Sequence, residues 1–325
     1  MAIRTWDIER ELSASAELRA MSNWGRWGPS DERGAANLAD AGAVARGMAA
    51  VATGRVYGLG QTLDSDGSPK QAFTSAARHF MISDGGDARI NSGKAERYPA
   101  FPGHQSAEDG LIFSIHGNTS HIDGLAHVWT EDVMFNGFSG DVVQSSGAGR
   151  LGIEKLGPVV TRGILLDVAG HRGVDRLPAD DLITEEDVAA CLRDGGLEVL
   201  PGDAVLVHTG WPTMYAEDPV AYSDRQPGLG ASAALYLARR DIALVGSDNA
   251  AVEAWCGHDE KALTDDRWSH CQIHIPFLRN LGIYLIEKLD LSALARDGVR
   301  SFLFALAPLR IAGATASPVN PIAVA

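Results

Sequence analysis

Short runs of apolar residues, separated by glycine, proline and aspartate, recur from residue 111 to the C-terminal end of the sequence. A run of this length between turn-forming residues is typical of a buried β-strand. The pattern predicts strands at residues 111–115, 159–169, 204–209, 242–247, 282–287 and 302–309.

Helical spacing of apolar residues appears in three segments. Residues 184–196 open with Thr184 and carry an acidic residue three positions later, an arrangement that approximates a capping box. Residues 228–241 are a second predicted helix. Residues 35–53 are alanine-rich and end before Gly54, which predicts one amphipathic helix leading into a strand at residues 55–63.

The order of these elements indicates the fold class. Strands and helices alternate only loosely, so we expect an α/β fold with a mixed sheet rather than a regular doubly wound one. The polar, glycine-rich stretch over residues 64–102 predicts long loops. Neither a repeat nor a linker divides the chain, which predicts a single domain over residues 1–325 with an N-terminal helical extension over about residues 1–55.

Charge and cysteine content narrow the class of protein. The chain has 325 residues, of which 42 are acidic and 28 basic, a formal charge of −14 that disfavours nucleic acid and anionic membranes as partners. A small substrate or a divalent cation is compatible with it. The N-terminal segment lacks an apolar signal core, the apolar runs are too short to span a membrane, and three cysteines are too few for a disulfide framework. We therefore expect a soluble cytoplasmic protein.

A cluster of histidines and one aspartate is the strongest chemical signal. His116, His121, Asp123 and His127 fall within twelve positions, and imidazole with carboxylate suits zinc, manganese or iron. His121 and Asp123 are two residues apart, so an extended segment would point both to one face. They are candidate ligands. His127 is the candidate base that accepts a proton from the water that the cation activates. The alternative is a polar loop with ordinary surface histidines.

Two further regions are weaker candidates. Residues 256–274 hold Cys256, His258, His270, Cys271 and His274, whose spacing fits an independent zinc site poorly, although one residue there could complete the first cluster's shell. Asp248 and Asn249 directly follow a predicted strand. Such a position suits either a functional side chain or a cap of the next segment.

At these residues the sequence resembles the cyclase family of metal-dependent hydrolases, which includes bacterial kynurenine formamidases and isatin hydrolases. The core of the resemblance is H-x-D-x-x-x-H, here His121, Asp123 and His127. The resemblance covers nearly the whole chain and extends to RWGPSDERGAANL, GPVVTRGILLDVA, LEVLPGDAVLVHTGW, VGSDNAAVEAW and the C-terminal segment that starts GIYLIEKL.

The resemblance implies a swivelling α/β/β cyclase-like fold, a homodimer or homotetramer, and hydrolysis of a C–N bond in a small cyclic or acylated amide. It also implies one divalent cation per subunit, held by His121, Asp123 and a distant Gln272, with His127 as the base. An amide oxygen as ligand favours Mn²⁺, with Zn²⁺ as the alternative.

The sequence also departs from the family pattern. Two-metal relatives carry a histidine where this chain has Gly117, and we expect His116 to face the opposite side of a strand. Cys271 and His208 stand where many relatives have histidine and arginine, which argues against copying a relative's substrate. Glu287 matches a family glutamate that is a ligand in two-metal members and is here assigned to the surroundings of the site, as is His274.

The sequence thus predicts a hydrolase that uses cation-activated water to open or cleave a lactam, cyclic imide, lactone or aryl amide. The alternatives are a two-metal arylformamidase and a non-catalytic protein that binds a metal or small molecule on the same scaffold. Trp129, Phe135 and Trp211 are candidates for an aromatic pocket wall, and core packing is the alternative for each.

Overall fold

A nine-stranded mixed β-sheet is the central element of the computed structural model, which describes residues 7–64, 68–90, 106–255 and 273–325. In spatial order its strands are β1 (Val56–Gly58), β15 (Ile322–Val324), β13 (Ser301–Leu306), β7 (Val159–Asp167), β9 (Ala204–His208), β11 (Leu244–Ser247), β12 (Tyr284–Glu287), β4 (His121–Asp123) and β14 (Ala316–Pro318). Three two-stranded sheets pair β2 (Arg78–Ser83) with β3 (Glu108–Ile112), β5 (Val143–Gln144) with β6 (Gly147–Ala148), and β8 (Leu182–Ile183) with β10 (Gly228–Leu229).

The helices of the described residues are short. They are α1 (Ile8–Ala20), α2 (Ala41–Ala49), α3 (Gly85–Ile90), α4 (Val168–His171), α5 (Glu185–Gly195), α6 (Thr213–Glu217), α7 (Pro219–Asp224), α8 (Ala231–Ala238) and α9 (Ser292–Arg296). A π-helix covers Ile275–Leu281, and 3₁₀ turns cover Gly34–Leu38, Phe135–Gly137, Gly140–Val142 and Ile153–Lys155. Across these residues, no helix has both the length and the apolar character that crossing a membrane requires.

The centre of the main sheet is parallel and its flanks are antiparallel. Strands β7, β9, β11 and β12 run in one direction, whereas β13 pairs antiparallel with β7, and β4 pairs antiparallel with β12. Nearly all residues of the central strands are buried. This explains their continuous apolar sequence, because a strand covered on both faces has no polar side. The predicted α/β fold with a mixed sheet is confirmed.

The helix predicted over residues 35–53 is shorter than expected. A 3₁₀ turn ends at Leu38, and α2 begins only after Asp40, whose side chain accepts a hydrogen bond from the Ala43 backbone N–H. An aspartate in this position caps a helix start and interrupts the preceding segment. By contrast, the capping box at Thr184 is present as predicted, with Asp187 as its partner and α5 as its helix.

The prediction of loops over residues 64–102 holds for residues 68–77, but it is wrong for residues 78–90, where β2 and α3 lie. The strand predicted at residues 111–115 is displaced toward its N-terminal side and ends at Ile112. Both errors have one cause. The antiparallel pair of β2 and β3 keeps most of its side chains exposed, including Phe80 and Ile112, so its sequence does not alternate between buried and exposed positions.

Helix α2 covers strands β7 and β13, and Gly47 of this helix lies directly against both strands. A Cβ atom at Gly47 would lie 2.6 Å from the carbonyl oxygen of Thr161 and 2.8 Å from a methyl carbon of Leu303. The glycine is therefore required by packing, not by its backbone conformation.

We predict that Gly47→Ala lowers the free energy of unfolding by about 1–2 kcal/mol. Forced overpacking costs about 1–3 kcal/mol, from which the better helix propensity of alanine recovers up to about 1 kcal/mol. Urea denaturation measures the change. Gly42→Ala in the same helix is the control, because Gly42 is exposed and the atom nearest to an added Cβ is a side-chain oxygen, Asp40 Oδ1 at 3.2 Å, and not backbone. Equal stability of both variants and the wild type would contradict the packing argument.

Candidate metal centre

The candidate site lies where β4 meets β12. In their antiparallel register His121 is directly opposite Glu287, and Asp123 is opposite Leu285. Directly opposite residues share a face of the sheet, and so do residues two apart on one strand. The side chains of His121, Asp123 and Glu287 therefore converge on one face. On its other side β4 pairs with β14, where Pro318 is opposite His121.

His121 and Asp123 are completely buried and incompletely bonded. His121 Nδ1 is 2.7 Å from the carbonyl oxygen of Thr119, which leaves Nε2 directed at the site. That Nε2 lies 3.6 Å from Asp123 Oδ1 and 3.3 Å from Glu287 Oε2. Within the described residues, His121 Nε2 and both carboxylate oxygens of Asp123 are buried without a hydrogen-bond partner. Buried polar atoms without a hydrogen-bond partner are rare in folded proteins, and a bound ion is one explanation for them.

His116 and His127 form the partly exposed side of the cluster. Their rings stack with centroids 3.9 Å apart, and His116 Nδ1 lies 3.1 Å from Asp123 Oδ1. The expectation that His116 faces away is wrong, because His116 lies in a turn and not on a strand. Gly117 follows with a φ of 80°, a left-handed conformation that suits glycine and turns the chain back toward β4.

His274 completes the cluster from a distant part of the chain, immediately before the π-helix. Its Nε2 lies 3.1 Å from Glu287 Oε1 and 3.7 Å from Asp123 Oδ2, and its Nδ1 contacts Glu253. Sequence reasoning placed His274 only in the surroundings of the site and did not single out Glu253 at all. A π-helix segment often marks a functional site, but its sequence carries no signal for one.

The cluster keeps its carboxylates ionised. Burial disfavours the charge on Asp123, yet His127, His116 and His121 hold the pKa of Asp123 far below its usual range. Burial and Asp123 both oppose ionisation of Glu287, but contacts with His121 and His274 lower its pKa below the usual value. Two carboxylates thus remain negatively charged although both are buried.

The histidines divide into two groups. Burial alone would lower the pKa of His121 and of His274, but neighbouring carboxylates raise both: Glu287 and Asp123 for His121, Glu253 and Glu287 for His274. Burial lowers the pKa of His127 to about 4, and Asp123 only partly opposes this. His127 is therefore neutral at physiological pH and able to accept a proton.

These residues fit a divalent cation. Two donor atoms that each lie about 2.1 Å from one ion are roughly 3.0–3.5 Å apart at the usual coordination angles. The contacts of His121 Nε2 with Asp123 and Glu287, at 3.6 and 3.3 Å, lie close to that range. Donor atoms of His121, Asp123 and Glu287 form one such group, and those of His116, Asp123 and His127 form another.

Comparisons with known proteins agree with this arrangement. The profile of the family described as Putative cyclase matches residues 57–254, more than half of the sequence. The chain belongs to the cyclase family. Curated protein sequences gave no match.

A solved structure described as a novel cyclase is 29% identical in sequence, covers 94% of this cyclase and 100% of its own chain, and superimposes with a TM-score of 0.82. Isatin hydrolase A from Ralstonia solanacearum is 20% identical, with 87% and 95% coverage and a TM-score of 0.56. Isatin hydrolase A from Labrenzia aggregata, solved with benzyl benzoate, is 19% identical, with 85% and 94% coverage and a TM-score of 0.54. Both share the fold.

Several predicted site residues either lie away from the cluster around His121 or fall outside the residues that the structure describes. Gln272 and Cys271, together with Cys256, His258 and His270, fall outside the described residues. His208 contacts Asp167, at 2.7 Å from its Nδ1, and Asp248 accepts hydrogen bonds from Thr209 and Gly210. Within the described chain, no hydrogen bond or ion pair joins His208 or Asp248 to His121, Asp123 or Glu287.

The aromatic candidates belong to the packed interior of the cyclase. Trp211 and Phe135 are almost fully buried, and the Trp211 indole N–H donates to the carbonyl oxygen of Tyr222. Trp129 is partly buried and lies against Gly140, where a Cβ atom would be 2.5 Å from the indole nitrogen. Core packing, the alternative reading, describes Phe135 and Trp211.

We predict that Asp123→Asn removes stabilisation by divalent cations. Mn²⁺ or Zn²⁺ at about 100 times the dissociation constant should raise the free energy of unfolding of the wild type by about 2.7 kcal/mol. The gain should be far smaller for the variant, because it lacks the negatively charged ligand at the centre of the site. Differential scanning calorimetry across a cation series measures this. Asp109→Asn is the control, since Asp109 is exposed beside His79. A variant that responds to cations like the wild type would exclude Asp123 as a ligand.

Proposed function

We propose that this member of the cyclase family is a metal-dependent hydrolase. Its substrate would be a small lactam, cyclic imide, lactone or aryl amide, whose carbonyl carbon is attacked by water. One observation carries the proposal: His121 Nε2 and Asp123 Oδ2 are buried without hydrogen bonds, beside a neutral His127. Among the described residues, Asp123 Oδ1 has only ion-pair contacts with histidines, the closest with His116. A divalent cation would give those atoms a partner. A base next to the cation is the other requirement of hydrolysis.

When bound, a divalent cation would supply acidified water and stabilise the negative charge that develops on the carbonyl oxygen. His121, Asp123 and Glu287 are the residues that would hold it. His127 would accept the proton from the attacking water, because its neutral imidazole has a free acceptor nitrogen at physiological pH. The stacked ring of His116 fixes the plane of the His127 ring.

The direction of substrate entry follows from burial. His121, Asp123, Glu287 and His274 are buried, whereas His116 and His127 are partly exposed. A substrate would therefore reach the carboxylates across the His116–His127 pair, with the base already at the entrance. This order suits a hydrolase, because the proton acceptor then lies between solvent and the cation.

The finer parts of the proposal rest on the family resemblance. Isatin is a cyclic amide, and the isatin hydrolases share the fold of this chain. From the resemblance we propose one divalent cation per subunit, Mn²⁺ in preference to Zn²⁺, with Gln272 as a further ligand. A homodimer or homotetramer, a cytoplasmic location and a small-molecule substrate complete the prediction.

The substrate class is tested by a screen of lactams, cyclic imides, lactones and formanilides with Mn²⁺ and Zn²⁺ supplied separately. We expect turnover in at least one class and a loss of about 10²- to 10⁴-fold in kcat for His127→Ala, the usual contribution of a general base. Bound metal should be unchanged by elemental analysis. His171→Ala is the control, because His171 pairs with Asp194 and takes no part in the cluster.

Turnover that survives His127→Ala with metal retained would disprove the role of His127. Bound cation without turnover in any class would favour the non-catalytic binding protein.

A two-metal arylformamidase is the second candidate, and one feature favours it. Asp123 presents Oδ1 to His121 and Oδ2 to His274, and Glu287 presents Oε2 to His121 and Oε1 to His274. Carboxylates that offer one oxygen to each side suit a bridge between two ions. Elemental analysis of fully loaded protein decides between the candidates. We expect one ion per chain, and a value near two would establish the two-metal alternative.

A further inference from the structure

Glu253 is a buried glutamate whose two carboxylate oxygens have different partners. Its Oε1 contacts His274 Nδ1, and its Oε2 accepts a hydrogen bond from the backbone N–H of Ile273 at 2.7 Å. The residue is 5% exposed. It lies in the loop after β11, where its own carbonyl oxygen accepts from Asn249 Nδ2 at 3.0 Å. Contacts at its carboxylate group and at its backbone carbonyl therefore fix the position of Glu253.

The contact with Glu253 determines how His274 faces the cluster. A carboxylate only accepts hydrogen bonds, so its partner nitrogen Nδ1 must carry a proton. By the same rule, Nε2–H donates to Glu287 Oε1 at 3.1 Å. A bound cation would replace that proton, and the Nε2 lone pair would then face the site, where Asp123 Oδ2 lies 3.7 Å away. Carboxylates that bind the outer nitrogen of a metal-ligating histidine have this orienting effect.

We propose that Glu253 is a positioning residue that holds His274 in the Nδ1–H tautomer and directs the Nε2 lone pair into the cation site of His121, Asp123 and Glu287. The inference rests on the proposed cation site and not on the reaction or its substrate. Glu253 touches neither the cation site nor a substrate itself, and it acts through His274.

The isosteric change Glu253→Gln isolates this role. A glutamine has one acceptor oxygen and one NH₂ group, whereas Ile273 N–H and His274 Nδ1–H both require an acceptor. If the oxygen stays with the Ile273 backbone, the NH₂ group donates to Nδ1 and moves the ring proton to Nε2. An N–H group would then point at Glu287 and block the lone pair, although the shape of the side chain is retained.

A purely structural role makes a different prediction. If Glu253 only fastens the Ile273 backbone, Glu253→Gln lowers stability without a specific effect on His274. A double-mutant cycle separates the two roles, because residues that act through one another have non-additive effects. Glu11→Gln is a matched control: Glu11 is also buried, and it accepts from the backbone N–H of Ser232 and from its hydroxyl group, in contact with α8 instead of the site.

The experiment measures Mn²⁺ affinity by titration calorimetry for the full-length wild type, Glu253→Gln, His274→Ala, the double variant and Glu11→Gln. We expect Glu253→Gln to weaken binding about 10- to 100-fold, the double variant to bind no more weakly than His274→Ala, and Glu11→Gln to bind like the wild type. Unchanged affinity of Glu253→Gln, or losses that multiply in the double variant, would overturn the proposal. A wild type that binds neither Mn²⁺ nor Zn²⁺ would overturn the proposed function as well.

A second measurement needs no variant and so does not depend on the folding of Glu253→Gln. Ring ¹⁵N chemical shifts of His274 in the Zn²⁺-loaded wild type report which nitrogen carries the proton. We expect a protonated Nδ1 and a Nε2 without a proton. A proton on Nε2 in the loaded protein would contradict the inference, whatever the affinities are.

Discussion

The antiparallel pairing of β4 with β12 brings three ionisable side chains together in the interior of this protein. Because His121 lies opposite Glu287 and shares its face with Asp123, all three groups are buried side by side. Burying one unpaired ion costs several kcal/mol even after relaxation. The sheet register is therefore compatible with a stable fold only if other charges reach the same place. The surrounding histidines supply them, and a divalent cation would supply more.

Two segments around the site bring histidines to the buried carboxylates. The turn at Gly117 returns His116 to within 3.1 Å of Asp123, and the segment before the π-helix places His274 against Glu287. Apolar packing also holds the second segment in place, because Ile273 and Phe277 on either side of His274 are buried in the core. Glu253 in turn fixes the position of His274. The charge balance around Glu287 therefore also depends on the loop after β11, which is far from β4 in sequence.

Local sequence patterns predicted those parts of the fold that depend on neighbouring residues. The central strands, the capping box at Thr184 and the extended segment of His121 and Asp123 all follow from short-range spacing. Asp40 and Gly117 mark two errors: Asp40 divides a segment that apolar periodicity alone continues, and Gly117 lies in a turn where we expected an extended strand. Glu253 and Glu287 could not be placed in this way, because their contacts with His274 and His121 join residues that the sheet topology brings together. For Glu287 only the family resemblance gave a signal.

The direction of the strands also explains why His208 and Asp248 lie near the same sheet edge and yet form a separate network. Asp167, His208 and Asp248 follow the carboxyl ends of parallel strands, where α/β sheets commonly bind ligands. Their polar atoms are already occupied by one another, by a helix start and by backbone N–H groups. At β12 the neighbouring strand reverses, so the carboxyl end of β12 meets the amino end of β4 and no helix start caps Glu287. Among the described residues, Asp123 on β4 keeps both carboxylate oxygens buried without a hydrogen bond at this boundary of the sheet, which supports the proposed cation site there.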